Sequence, residues 1–327
     1  MTIVAPLTRP IYAATSPLLI RINLPGPRSL PFLPIEMIPL LGIDRDFGAA
    51  LSLRYFTSGV LAFEDMMAGN APFSSHGFFI LPAMRKRGKS AVAIASTAGT
   101  AAALALLVRA DLAGKIKRVA DLKSRSIGAS SGSINSKTYL QMVGETVLGK
   151  HGVGPGEVRW VNTAQNWESI RSVLESKSVD AVLCEEPFAS RAVSLGLARF
   201  LVGAGEVAKS RPQMGGVHLR AVISTPAGSS RHEQEARILT QMLQRSLQWI
   251  ARASPKEIVA KLPFETAAQS NEMLGILQRY PGIFSADGRF SAAAVAGSVS
   301  MLKSMGSIEQ VADVDVMIDD RWVGRAP

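Results

Sequence analysis

The sequence predicts an α/β protein whose sheets are mostly parallel and flanked by helices. Three observations carry this expectation. Short apolar segments alternate with helix-like segments as far as Pro226, the pattern of strands that return through crossover helices. The junctions repeat a turn of small hydroxyl residues and glycines. Beyond Pro226 the periodicity becomes helical.

Leu19 to Leu24 reads as the first strand, stopped by Pro25-Gly26-Pro27-Arg28-Ser29-Leu30-Pro31. Phe32 to Leu41 is helix-like despite its prolines, and Leu51 to Phe56 alternates as a second strand. Thr57-Ser58-Gly59 then opens a helix from Val60 to Met67, closed by Gly69-Asn70. Ser74-Ser75-His76-Gly77 forms a third junction, ahead of an apolar helix through Phe78, Ile80 and Leu81. Ala91 to Ala95 and Leu104 to Arg109 are buried-type strands. Val158 to Asn162 is a strand leading through Gln165-Asn166 into a helix, with Trp167, Ile170, Val173 and Leu174 at helical spacing. Val179 to Cys184 is an uninterrupted apolar strand of parallel-sheet character, ending at Glu185-Glu186-Pro187. A helix from Phe188 to Ser194, a strand from Arg199 to Val202 and a strand from His218 to Ser224 follow. Leu239, Met242, Leu243, Leu247 and Ile250 stripe one helix, and Ser254-Pro255-Lys256-Glu257 restarts another.

The segment Ser126 to Tyr139 runs from a strand into a helix through Ser130-Ser131-Gly132-Ser133. The first N–H groups of a helix lack internal partners and carry the positive end of the dipole, so such an opening offers donors to a small polar or anionic group. The plainer alternative is a capped helix, with Ser130, Ser131 or Ser133 as the cap. Recurrence of the same turn elsewhere in the chain favours a ligand.

At 327 residues the chain is long enough for two lobes. Its single cysteine, Cys184, excludes an intramolecular disulfide, and its four histidines have no zinc-site spacing, so no metal or other cofactor is expected. The formal net charge of +10 gathers at Arg85-Lys86-Arg87-Gly88-Lys89 and Lys115-Ile116-Lys117-Arg118. With 6% aromatic residues and no reading motif, these clusters are solvated faces, and no nucleic-acid partner is expected. The charge favours an anionic ligand over a cationic one. No stretch approaches the roughly 20 apolar residues that cross a bilayer. The amino terminus, interrupted by Pro6, Pro10 and Pro17, makes a poor secretory signal.

Val119-Ala120-Asp121-Leu122-Lys123 before Ile127-Gly128, the Ser130 to Tyr139 opening, and Val179-Asp180-Ala181-Val182 running into Glu185-Glu186-Pro187 occur here in order. With them the chain, from about Ile20 onward, resembles the type II solute-binding proteins of ABC importers, in the group that captures nitrate, taurine, aliphatic sulfonates and related small molecules. The resemblance implies two α/β lobes, each with a mostly parallel sheet, closing over a ligand held between them. It implies hinges near Leu104 to Arg109 and His218 to Ser224. Residues 20–106 and 222–327 would form lobe 1 and residues 107–221 lobe 2, after an extension over residues 1–19. A monomer, a permease and an ATPase as partners, and a periplasmic location are implied too. The weak signal leaves a cytoplasmic location or another start open.

If the turns line one cleft, lobe 1 supplies Arg28, Ser29, Ser58, Gly59, Ser75 and His76, and lobe 2 supplies Ser131, Gly132, Ser133, Gln165, Asn166, Glu185 and Glu186. Arg28 is the sharpest anion contact, because a guanidinium forks onto sulfonate, carboxylate or nitrate oxygens. His76 can donate to a ligand or cap its helix. Trp160 and Trp167 can stack on a flat ligand, or Trp167 can pack as the first member of its stripe. Adjacent residues at a strand end point opposite ways, so at most one of Glu185 and Glu186 is expected to face the cleft. Two rivals remain at this level: an enzyme of hydrolase or desulfinase type using Cys184 with His76 or Glu185, and a cytoplasmic ligand sensor. A lone cysteine in an apolar strand argues for inert core.

Overall fold

The structure is a computed structural model that describes residues 16–100, 103–130, 138–203, 217–304 and 306–326. In chain order its elements begin with β1 (Leu18–Pro25), α1 (Leu33–Leu40), α2 (Ile43–Asp46), β2 (Ala49–Phe56) and α3 (Gly59–Met67). They continue through β3 (Phe73–His76), α4 (Ile80–Arg85), β4 (Ala91–Thr100), β5 (Leu104–Arg109) and β6 (Ser126–Ala129). Next come α5 (Tyr139–Lys150), β7 (Arg159–Asn162), α6 (Trp167–Glu175), β8 (Ala181–Glu185), α7 (Phe188–Ser194), β9 (Ala198–Val202) and β10 (Val217–Pro226). The carboxyl-terminal part holds α8 (Glu233–Arg252), α9 (Pro255–Lys261), α10 (Ala267–Arg279), β11 (Phe290–Ser291), α11 (Ala292–Ser304), α12 (Ala312–Asp315) and β12 (Arg325–Ala326).

Among the described residues two five-stranded sheets form, in the orders β2-β1-β3-β10-β4 and β7-β6-β8-β5-β9. In the first, β1 lies parallel to β2 and β3 while β10 runs antiparallel to β3 and β4. In the second, β6 lies parallel to β7 and β8 while β5 runs antiparallel to β8 and β9. Each sheet is thus a parallel set with one strand inserted against the grain. The two inserted strands are those that follow a crossing between sheets. Leu104–Arg109 lies wholly in the second sheet and Val217–Pro226 wholly in the first, so the chain crosses between residues 100 and 104 and again between 203 and 217.

The cores follow the strand period. In β8, Ala181 and Leu183 join the cluster that holds Val143 and Val147 of α5, whereas Val182 and Cys184 join Trp167, Ile170 and Phe188 on the other face. A side chain on each face of an apolar strand is what the unbroken run Ala181 to Cys184 encodes. In the first sheet Ile20, Ile22, Leu24, Phe73 and Ile223 are buried with Phe63 and Met66 of α3 and Leu239 and Leu243 of α8. Burying one such side chain contributes about 1.5–3 kcal/mol. A third cluster joins Leu30, Leu33 and Met37 to Ile258, Met273, Ile276 and Leu277, tying α1 to α9 and α10.

The helix starts are chemically specified. Ser58 Oγ accepts from the Leu61 N–H at 3.3 Å, Asn166 Oδ1 from the Ser169 N–H at 2.9 Å, and Ser254 Oγ from the Glu257 N–H at 3.3 Å. The helix after β6 begins at Tyr139 with Thr138 as its cap, its Oγ1 accepting from the Gln141 N–H at 3.2 Å. The cap is therefore neither Ser130, Ser131 nor Ser133. Thr138 immediately precedes the helix, and its hydroxyl also donates to the Ser130 carbonyl.

Candidate functional site

The sheets meet along a seam where β1, β6 and β8 end and β10 begins. Ser29, just past β1, donates from Oγ to Glu185 Oε2 at 3.3 Å, and Arg220 of β10 donates to Glu185 Oε1 from its guanidinium. Two side chains of the first sheet thus hold a carboxylate of the second. All three are buried, with Arg220 2% and Glu185 3% exposed. Such burial is tolerable only because the charges are matched; removing one partner of a pair of this kind costs roughly 3–5 kcal/mol. The backbone closes the seam further out. The Gln165 N–H donates to the Thr57 carbonyl at 3.1 Å, and Gly26, at φ +43°, approaches the Gln165 carbonyl so closely that a Cβ would overlap it.

Two small voids flank the ion pair, each of about 10 Å³, room for about one water. Ser130 lines both, and its Oγ is buried without a hydrogen bond to any described residue. Ser29, Gln165 and Glu185 line one or both, together with Gly59, Thr138 and Arg220. Of the expected residues, the structure therefore gathers Ser29, Gly59, Gln165 and Glu185 at the inner seam. A further cavity of about 140 Å³ lies outside it, where Arg28 and Asn166 meet Trp167, Phe188, Arg191 and Glu272. Trp167 packs as the first residue of its helix, with the Arg191 guanidinium 4.5 Å from its ring centre. Arg28 is half-buried at φ +62°, and its N–H donates to Glu36 Oε1 at 2.9 Å.

Other expected residues point elsewhere. Ser58 is occupied in capping α3. Ser75 Oγ donates to the Val222 carbonyl at 3.0 Å within the first sheet. His76 is buried under α3, edge-on to Phe63 at 5.2 Å, with Nδ1 3.0 Å from the Gly77 carbonyl. Burial holds its pKa down to about 4 against the Gly77 hydrogen bond, so the ring is neutral near pH 7. Gly59 explains the fit of α3 on β3, because a Cβ there would stand 3.1 Å from His76 Cβ. Glu186 turns away from Glu185 and accepts from the Ser190 N–H and Oγ, both at 2.8 Å, with the Arg279 guanidinium 3.8 Å away. Its burial raises its pKa. Ser131, Gly132 and Ser133 lie outside the described residues.

Cys184 sits 3% exposed in the apolar cluster with Trp167, Ile170 and Phe188. Burial, with a smaller push from Glu186, drives its thiol pKa far up, the opposite of what a thiolate nucleophile requires. Arg220 is the site residue that the reading of the sequence missed. Its signal was present: a lone arginine inside the apolar strand His218-Leu219-Arg220-Ala221-Val222 has to find a buried partner.

A two-lobed α/β molecule with one antiparallel strand inserted in each sheet, and polar groups of both sheets converging on the seam, defines the type II periplasmic binding protein fold. The solved structures it is similar to include a protein of Bordetella bronchiseptica RB50, at 21% identity and TM-score 0.79, covering 95% of this chain and 96% of that one. Another is the alkanesulfonate-binding protein SsuA of Xanthomonas axonopodis pv. citri, bound to MOPS, at 17% identity and TM-score 0.70, covering 95% and 100%. A third is the periplasmic nitrate-binding protein NrtA of Synechocystis PCC 6803, at 10% identity and TM-score 0.69, covering 92% and 86%. No family model matches the sequence, and no curated protein matches it. No described helix is long and apolar enough to cross a membrane.

Proposed function

We propose that this chain is the solute-capturing component of an ABC importer, holding a small organic or inorganic anion or zwitterion of the nitrate, sulfonate or taurine kind by closing its two lobes. The observation that carries the reading is the seam itself, where Arg220 and Ser29 of one sheet grip Glu185 of the other beside the unsatisfied Ser130 hydroxyl. In open parallel sheets, ligands bind outside the carboxyl ends of strands, which is where this seam lies. The lobes that move are the two built on these sheets, divided near the expected boundaries at 106/107 and 221/222 but with Leu104–Arg109 going with the second sheet and Val217–Pro226, and so Arg220, with the first. A solute reaches the site when they part, and closure stabilises the complex only by its differential affinity for the closed form. A permease and an ATPase as partners, and a periplasmic location, follow from the same reading.

The chemistry is binding, without a covalent step. The experiment is a thermal-shift screen of the full chain against nitrate, taurine, alkyl and aryl sulfonates, carboxylates and pyrimidines. A saturable rise in Tm, lost in Arg220→Ala and kept in Cys184→Ser, is expected. No shift with any compound, or turnover that disappears in Cys184→Ser, would overturn the reading.

A further inference from the structure

The charge carried by the inner seam narrows the solute class, on the reading that the chain captures a solute there. Among the described residues lining the two voids, Arg220 and Glu185 alone bear charge, and they are already paired. Among the described residues the base of the cleft is therefore neutral overall. His76, one strand away, adds no positive charge near pH 7. Glu186 faces α7 and Arg279 instead of the voids. A bare anion brought to this place would leave one uncompensated negative charge in a desolvated site, which is strongly unfavourable. A molecule carrying both signs would not. Its acid group can accept from the Arg220 guanidinium and the Ser130 hydroxyl while its ammonium donates to Glu185, giving an array in which every charge has an opposite neighbour.

We infer that the cleft selects a zwitterion, an acid joined to an ammonium by a short spacer, over a bare anion, and that Glu185 determines that choice. Ser29 supports it from the side, fixing the second oxygen of Glu185 through a hydrogen bond of 3.3 Å.

Two ligand pairs isolate the ammonium: taurine against ethanesulfonate, and β-alanine against propionate. Calorimetry on the full chain should find the zwitterion of each pair bound at least about tenfold more tightly. Glu185→Gln keeps the shape of the side chain and removes its charge, so the preference should reverse toward the bare anion. If that variant does not fold, as judged by its melting curve, the ligand pairs on the native chain decide alone. Equal or tighter binding of ethanesulfonate and propionate by the native chain, or a zwitterion preference kept in Glu185→Gln, overturns the inference and leaves solute capture standing. Binding of none of the four overturns it as well, and a silent wider screen extends that failure to the functional reading.

Discussion

Glu36 holds the Arg28 loop in place, and its proton affinity follows from how it does so. The carboxyl is 5% exposed and accepts from the Arg28 N–H. Desolvation raises its pKa from 4.5 to about 7, against the Arg28 hydrogen bond, the Arg28 charge and the Tyr55 hydroxyl. An acid whose folded pKa is raised binds its proton more tightly when folded. Its contribution to stability is therefore full below about pH 4.5 and is lost as pH rises toward 7. His76 acts oppositely, losing stability as pH falls from 6.5 toward 4, so the native pH profile mixes the two. The difference between native chain and Glu36→Gln separates them. Urea unfolding at about pH 5 and pH 8 should show the native chain losing roughly 1–3 kcal/mol more than the variant on going to the higher pH. At this scale the sequence was legible where a side chain serves its neighbours and less so where it serves a distant strand. Asn166 and Ser58 cap the helices beside them. Ser75 and Glu185 find their partners 147 and 35 residues away, at Val222 and Arg220, and nothing in the local sequence points there.

Element boundaries were the most readable feature because caps, prolines and apolar spacing are local. Phe188–Ser194 is the helix that the sequence predicts, and Ser254 with Glu257 forms a capping box at the restart before Pro255. Strand direction was not readable. Leu104–Arg109 and His218–Ser224 resemble the parallel strands in composition, and they run antiparallel because the chain enters each from the opposite sheet. Caps give a test that separates structure from binding. Ser254→Ala removes a cap remote from the inner voids, and Asn166→Ala removes one beside the outer cavity. Each should cost about 1 kcal/mol in chemical denaturation. Only Asn166→Ala should also weaken the solute, because the start of α6 follows Gln165 at the seam. Equal effects of both on affinity would show that the helix start has no special part in binding.

For the whole molecule, two lobes were foreseeable from length and from the repeated strand and helix units. How tightly they meet was not, since that depends on contacts such as Gln165 with Thr57 and Gly26 that join remote segments. Gly26 offers a direct test of closure. Its φ of +43° and its approach to the Gln165 carbonyl both reject a side chain. Gly26→Ala should hold the lobes apart, removing ligand-induced compaction in small-angle scattering and lowering affinity about tenfold or more. A variant that still compacts on binding would show that the seam tolerates more room than the geometry allows.

Gly297 lies in the middle of α11, far along the chain from every residue at the seam. A Cβ there would collide with the Val217 carbonyl, and the adjacent Ser298 Oγ accepts from the Leu219 N–H at 2.9 Å. Together they seat the helix on the strand that carries Arg220. If the chain captures a solute for uptake as proposed, a genetic selection for loss of uptake would recover substitutions at Gly297, far from the cleft, with the protein present in the cell but its arginine displaced.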